Sequence, residues 1–579
     1  MYLLHLFRSF LPLQNPIGFG AVDFIEFSFA LLLVLLIFAR PWVEPAAQKL
    51  ARRPLWCMTF LFALVITLRL ALLPMHPVPT PYGSDDFSYF LLGDTLAHFR
   101  LANTTHPMHR FFETIFVLHQ PAYSSIYAIG QGAVLAFGQV LFGLPWAGVL
   151  ISMALIAPLC YWMLRGWTSP GWALVGGLLA ACQFGALNLW MNCYWGGAVT
   201  AIAGCLVFGA LGRLRERVVT RDAVLLGLGM GVQLVCRPYE SLFLAGSIVL
   251  FFLPEVQRKT SWPRLAKIAV PALAALLPAA ALVALHDKAV TGSWATLPYA
   301  LGQSQYGVPQ TFTFQHIAAP SAKLTPSQEL YFEGQAAVHG PIDTPGAYLE
   351  RLGSRAGFYR FFFAAPLFFA LPFFLPLLRD YRYAFPAIAC VLFALGTNFY
   401  AYFFPHYVGA LACVFVLIAI LGLQRLEQAK LRGWAGGQAA ARWLLVLTGA
   451  QFLFWYGVQA QPDEDILRAV VRYQAADAVN FGDPDGRIAI NKRLAAEPGG
   501  QLVFVRYFST HGYKEWVHND ADIDKAHVVW ALDLGRGEND QLKSYYPDRK
   551  VWLMEPDAIP PRLSPYPTTT PLWPFEEVH

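Results

Sequence analysis

Two adjacent carboxylates, Asp85 and Asp86, stand in the run Pro79-Thr80-Pro81-Tyr82-Gly83-Ser84-Asp85-Asp86, just past an apolar stretch over 55–73. Acids at the edge of hydrocarbon are costly to keep, so a pair of them there marks a place for chemistry. One carboxylate can act as general base or orient an acceptor hydroxyl, while the other stabilises developing positive charge or holds a cation. The plainer alternative is capping, with Ser84 or Asp85 accepting from the free N–H groups of a helix that begins near Phe87.

A second polar interruption is Arg237-Pro238-Tyr239-Glu240, at the junction of two apolar stretches. The planar fork of Arg237 suits bidentate recognition of a phosphate, and an Arg237–Glu240 ion pair that staples the turn is the structural alternative. Lys288, in His286-Asp287-Lys288, could meet a phosphate as a point charge, or anchor at the interface. Arg69 reads first as a snorkelling side chain and stays in view because it precedes the acid pair closely. His406, at the end of Tyr400-Ala401-Tyr402-Phe403-Phe404-Pro405-His406, is placed to line a site.

The first large loop also carries His98, His106, His109, Arg110, Glu113 and His119. Their spacing matches no metal template, so these histidines read as polar boundary residues; metal dependence stays open, with a divalent cation compatible with the acid pair. Phe111, Phe112, Tyr123 and Tyr127 read first as an interfacial aromatic belt, with sugar stacking as a secondary role. The run Asn519-Asp520-Ala521-Asp522-Ile523-Asp524 starts like a calcium loop, lacks its glycine and closing glutamate, and reads as a turn.

These groups need elements to hold them, and composition says which kind. The chain has 579 residues, is 56% hydrophobic and 14% charged, and repeats apolar stretches of the length that crosses a bilayer. It reads as a polytopic α-helical membrane protein of eleven to thirteen spans, at 22–39, 55–73, 172–190, 196–212, 223–236, 242–253, 268–285, 361–378, 384–403, 408–423 and 443–458, with a close pair at 123–142 and 146–164. Residues 1–459 form this membrane domain, with outer loops at 74–121 and 286–360. The start does not read as a cleavable signal, because His5, Arg8, Pro12 and Pro16 interrupt it.

Basic clusters mark the cytoplasmic side: Arg40 to Arg53, Arg213 to Arg221, Arg258 to Lys267, Arg379 with Arg382, and Arg425 to Arg432. The acid pair, the Arg237 turn, the loop after Asp287 and the tail then fall outside. If 123–142 and 146–164 both crossed, Arg165 and Arg213 would land outside too, so one of the two is re-entrant or lies in the membrane plane.

From Ala460 onward the net charge is −6, against +11 for the rest, the pattern of basic cytoplasmic loops and not of a nucleic-acid binder. The tail, 460–579, reads as a small extracytoplasmic α/β domain, with a helical pattern at 466–478, β-type runs at 501–508, 527–534 and 550–554, and an extended Pro- and Thr-rich arm after Pro556. All eight cysteines lie in or beside apolar spans and behave as small hydrophobes.

The stretch Leu68-Arg69-Leu70-Ala71-Leu72-Leu73-Pro74, the acid pair after it, Gln120-Pro121-Ala122-Tyr123 opening a helix, and the Arg-Pro-Tyr-Glu turn together resemble the polyprenol-phosphate-sugar-dependent glycosyltransferases of the GT-C superfamily, which include protein mannosyltransferases and aminoarabinose transferases. The likeness covers roughly 55–423. The stretches Trp190-Met191-Asn192-Cys193-Tyr194-Trp195-Gly196-Gly197 and Glu515-Trp516-Val517-His518-Asn519-Asp520-Ala521-Asp522 resemble a bacterial subgroup, and the extra anchor at 22–39 departs from the family pattern by placing the N-terminus outside.

The resemblance implies a GT-C-like fold in a bacterial inner membrane. It implies inverting transfer of a sugar from a polyprenyl-phosphate donor to a hydroxyl or amine of an extracytoplasmic glycan, lipid or protein. Asp85 and Asp86 would be base and partner, in either order. Arg237, with Lys288 or Arg69, would bind the donor phosphate, and Glu240, Tyr239, Glu113, His119 and His406 would line the pocket. The tail would shape the acceptor cleft or recruit a partner. A transporter or flippase of lipid-linked or anionic substrates is the alternative, favoured by intramembrane Arg237 and Glu240 and disfavoured by the lack of paired broken helices. A non-catalytic assembly subunit is the third reading, and it makes the acid pair dispensable.

Overall fold

The computed structural model describes residues 32, 35, 40–81, 83–256, 261–430, 436–460, 486–508, 511 and 514–566. The expected spans at 22–39 and the tail helix at 466–478 lie outside the described residues, the former but for two positions. Two compact units emerge, one from 1–79, 146–282 and 343–480, the other from 80–145, 283–342 and 481–579.

The first unit is helical. Six described helices of the chain are long and apolar enough to cross a bilayer: Pro54–Ala71, Pro145–Leu164, Ala198–Glu216, Pro238–Val256, Trp262–Thr291 and Pro405–Glu427. This is an integral membrane protein. Small residues let its helices approach closely, as interfaces between helices in lipid require. A Cβ on Gly204 would lie 1.8 Å from the Ala410 carbonyl oxygen, and one on Gly227 would lie 2.0 Å from that of Ala272.

Several expected spans are shorter than the apolar pattern suggests. The 172–190 stretch is a helix only over Pro170–Gln183, followed by a 3-10 turn at Leu189–Met191. The 361–378 stretch is no α-helix: it forms 3-10 runs at Ala356–Phe362, Ala365–Phe369 and Leu371–Arg379. Pro366, Pro372 and Pro376 each remove an N–H and clash with the preceding turn, which accounts for the breaks. Of the close pair, the second is the 20-residue helix Pro145–Leu164, whereas the first is the 14-residue helix Ile129–Phe142, about 21 Å long and too short to span unaided.

The second unit contains the acid pair and the tail. Its first part is the helix Ser84–Ala97, packed on Ile129–Phe142, and a short antiparallel hairpin of β1 (Val117–Leu118) and β2 (Ser124–Ser125). Gln120-Pro121-Ala122-Tyr123 therefore sits in the hairpin and does not open a helix, which starts only at Ile129. The tail carries a sheet in the order β4-β3-β5-β6, from β3 (Gln501–Val505), β4 (Val528–Leu532), β5 (Lys550–Glu555) and β6 (Arg562–Pro565).

The first three strands are parallel, with helices Arg487–Ala496 and Arg536–Tyr545 beside them. Burial on both faces of β3 explains its unbroken apolar run Leu502-Val503-Phe504-Val505. The Pro-rich arm is tied down at its start: β6 pairs antiparallel with β5, at the sheet edge where proline is tolerated.

Candidate active site

The helix bearing the acids starts at Ser84, earlier than the sequence suggests, and its N-cap is Gly83, with no side-chain cap. Asp85 and Asp86 lie inside the first turn, where the helix dipole favours negative charge, and neither serves as the cap. Asp85 is partly exposed and accepts a hydrogen bond from the Tyr127 hydroxyl; Asp86 is 5% exposed. Tyr127 stacks on Tyr89, four residues along from Asp85, with ring centroids 4.4 Å apart and planes within 8°. Burial first, and then the Asp85 charge, raise the Tyr127 phenol well above its ordinary range, so it remains a donor at neutral pH.

One turn on, Ser88 Oγ donates to the Phe116 carbonyl at 2.7 Å and lies 2.7 Å from Ser125 Oγ. Phe116 is buried and holds φ at +66°, a region a bulky residue occupies only when its surroundings impose it. On the same helix a Cβ at Gly93 would meet Leu135 Cβ at 2.8 Å, so Gly93 permits the close approach of Ile129–Phe142. The acid pair thus rests on an over-determined support.

His109, Arg110, Glu113 and His119 group together within this unit. Glu113 is buried between His109, at 3.1 Å, and Arg110, which also donates to the Lys323 carbonyl at 2.7 Å. Burial raises the Glu113 carboxyl above its ordinary range against the pull of both partners. His119 is fully buried, stacked on Tyr123 at 5.1 Å, and burial followed by the nearby His109 lowers it to about 3. Among the described residues no three His, Cys, Asp or Glu side chains converge as a metal site. Lys288 donates to the Gly292 carbonyl at 2.5 Å, closing the end of its own helix.

In the first unit, Arg237 pairs with Glu240 at 3.9 Å and lies over the Tyr407 ring at 4.9 Å. Tyr239 donates to the Gly396 carbonyl at 3.0 Å. Buried His406 sits edge-on to Trp195 at 4.8 Å and against Tyr407 at 4.7 Å. Arg237, Tyr239, Glu240 and His406 are therefore neighbours, as the helix ends bring them together. Arg69 is elsewhere in this unit and does not snorkel. It is fully buried and donates to the His76 carbonyl (3.0 Å), the Pro77 carbonyl (3.2 Å) and Asn192 Oδ1 (3.2 Å), with its guanidinium over Trp146 at 4.7 Å. Its donors knit the loop after its helix to the Trp190–Gly197 motif.

Sequence reasoning missed Tyr127, Ser88 and Phe116 as parts of the acid-pair site. The Tyr127 hydroxyl meets Asp85, and Phe111 and Phe112 are buried core of the second unit. No local pattern links Tyr127 to an acid 42 positions earlier.

No family model matches the chain, and no curated protein matches it. Among solved structures it is similar to ArnT from Cupriavidus metallidurans in the apo state, at 12% identity and a TM-score of 0.48, over 86% of this chain and 93% of that one. The same protein bound to undecaprenyl phosphate aligns at 12% identity and 0.45, over 78% and 83%. The apo oligosaccharyltransferase of Archaeoglobus fulgidus aligns at 12% identity and 0.40, over 79% of this chain and 62% of that one.

Proposed function

We propose that the chain is an inverting glycosyltransferase that moves a sugar from a polyprenyl-phosphate donor to an extracytoplasmic acceptor. The observation that carries this reading is the acid pair: a partly exposed carboxylate, Asp85, held in one orientation by Tyr127, beside a buried one, Asp86, in a helix first turn. Asp85 is the base, since only a reachable carboxylate can take a proton from an incoming hydroxyl or amine. The acceptor attacks the anomeric carbon from the face opposite the phosphate, the C–O bond breaks, and its electron pair leaves on polyprenyl phosphate. Asp86 stabilises positive charge on the sugar.

The test is transfer of radiolabelled sugar from polyprenyl-phosphate donors by membranes carrying wild-type protein, Asp85→Asn or Asp86→Asn at matched expression. Loss of transfer in Asp85→Asn with donor still bound supports the reading. Equal transfer in all three removes the pair from the mechanism.

A further inference from the structure

The tail motif Glu515 to Asp522 has no role in the reaction as written, and yet it wraps the helix that carries the acids. Backbone pairing joins Gly83, the N-cap of that helix, to Lys514 in an antiparallel bridge. One turn into the helix, the Phe87 ring lies 4.7 Å from that of His518, and the Arg487 guanidinium lies over Phe87 at 4.4 Å. Arg487 is 7% exposed, donates to the carbonyls of Glu515 (2.6 Å) and Trp516 (3.1 Å), and also faces the Trp516 and Trp530 rings at 5.0 and 5.5 Å. Two turns further, Asp94 Oδ2 accepts from the Ala521 amide at 2.7 Å. Phe87 and Asp94 are seven residues apart, so one face of the helix meets the tail while Gly93 and Ser88 face the other way.

We propose that the tail domain is part of the catalytic scaffold, with Arg487 as the positioning residue that locks segment 514–522 onto the acid-bearing helix. This rests on the reading of Asp85 as base. A planar guanidinium can hold two carbonyls in its plane and an aromatic ring on its face at once, which the point charge of lysine cannot do. The tail then sets the rate of transfer by fixing where the carboxylates point, and leaves donor affinity alone.

Hydrogen–deuterium exchange of the full chain in detergent reads the clamp without relying on activity. Arg487→Met and, as a milder variant that keeps apolar volume, Phe87→Leu are each expected to speed exchange in peptides from 84–97. In the same preparations kcat should fall by about 10- to 100-fold with donor KM within about twofold, the signature of misplaced catalytic groups. Arg487→Lys should recover only part of the rate. Unchanged exchange in both variants overturns the clamp. Faster exchange with wild-type kcat, where Asp85→Asn is inactive, overturns the positioning role. Activity retained in Asp85→Asn sinks the reading of Asp85 as base instead, and the exchange result still decides whether the tail holds the helix.

Discussion

The Tyr127 hydroxyl donates to the Asp85 carboxylate across a gap of 42 residues. That bond fixes the direction in which the carboxylate points. Tyr127→Phe should therefore lower kcat by roughly 10- to 100-fold with donor KM little changed, the result of a misplaced base. A wild-type kcat in Tyr127→Phe would separate Tyr127 from the base.

Arg69 has its donors on two loop carbonyls and Asn192, so its removal should cost stability and leave donor binding intact. Arg69→Met leaves those buried acceptors unsatisfied, a loss of about 3 kcal/mol or more. Thermal unfolding in detergent should show it, with an unchanged donor KM in the folded fraction. A raised KM at wild-type stability would restore Arg69 to the phosphate site.

His119 gives the second unit an acid-sensitive point. Its folded pKa is lowered from 6.5 to about 3, so unfolding lets it take up a proton. Its contribution is intact above pH 6.5 and is lost as the pH falls from there toward 3, at up to ~1.4 kcal/mol per pH unit. His119→Asn should flatten this slope in unfolding midpoints measured between pH 7 and 4. Parallel curves for the two proteins would argue against a neutral buried imidazole.

Gly204 marks the tightest helix approach in the first unit among the glycines named above. Gly204→Ala would press a methyl on the Ala410 carbonyl, and overpacking of this kind costs about 1–3 kcal/mol. A lower midpoint of thermal unfolding is expected. Gly449→Ala, where no neighbouring atom lies within 4 Å of the added Cβ, should leave it unchanged.

The sequence by itself determined the class of the molecule, because hydrophobic length and charge distribution act locally and can be read residue by residue. It also marked the acid pair, the Arg237 turn and the three parallel tail strands, whose apolar runs match the observed β3, β4 and β5. Tertiary structure decided what no window can contain. Prolines turned an expected span into 3-10 runs, Arg69 went to loop carbonyls and not to an interface, and Tyr127 was drawn from a supposed belt to Asp85. The tail's motif gained a place only when Arg487 was found over Phe87, four hundred positions earlier in sequence order. Buried polar groups must find partners wherever the fold supplies them, and that choice is made in space.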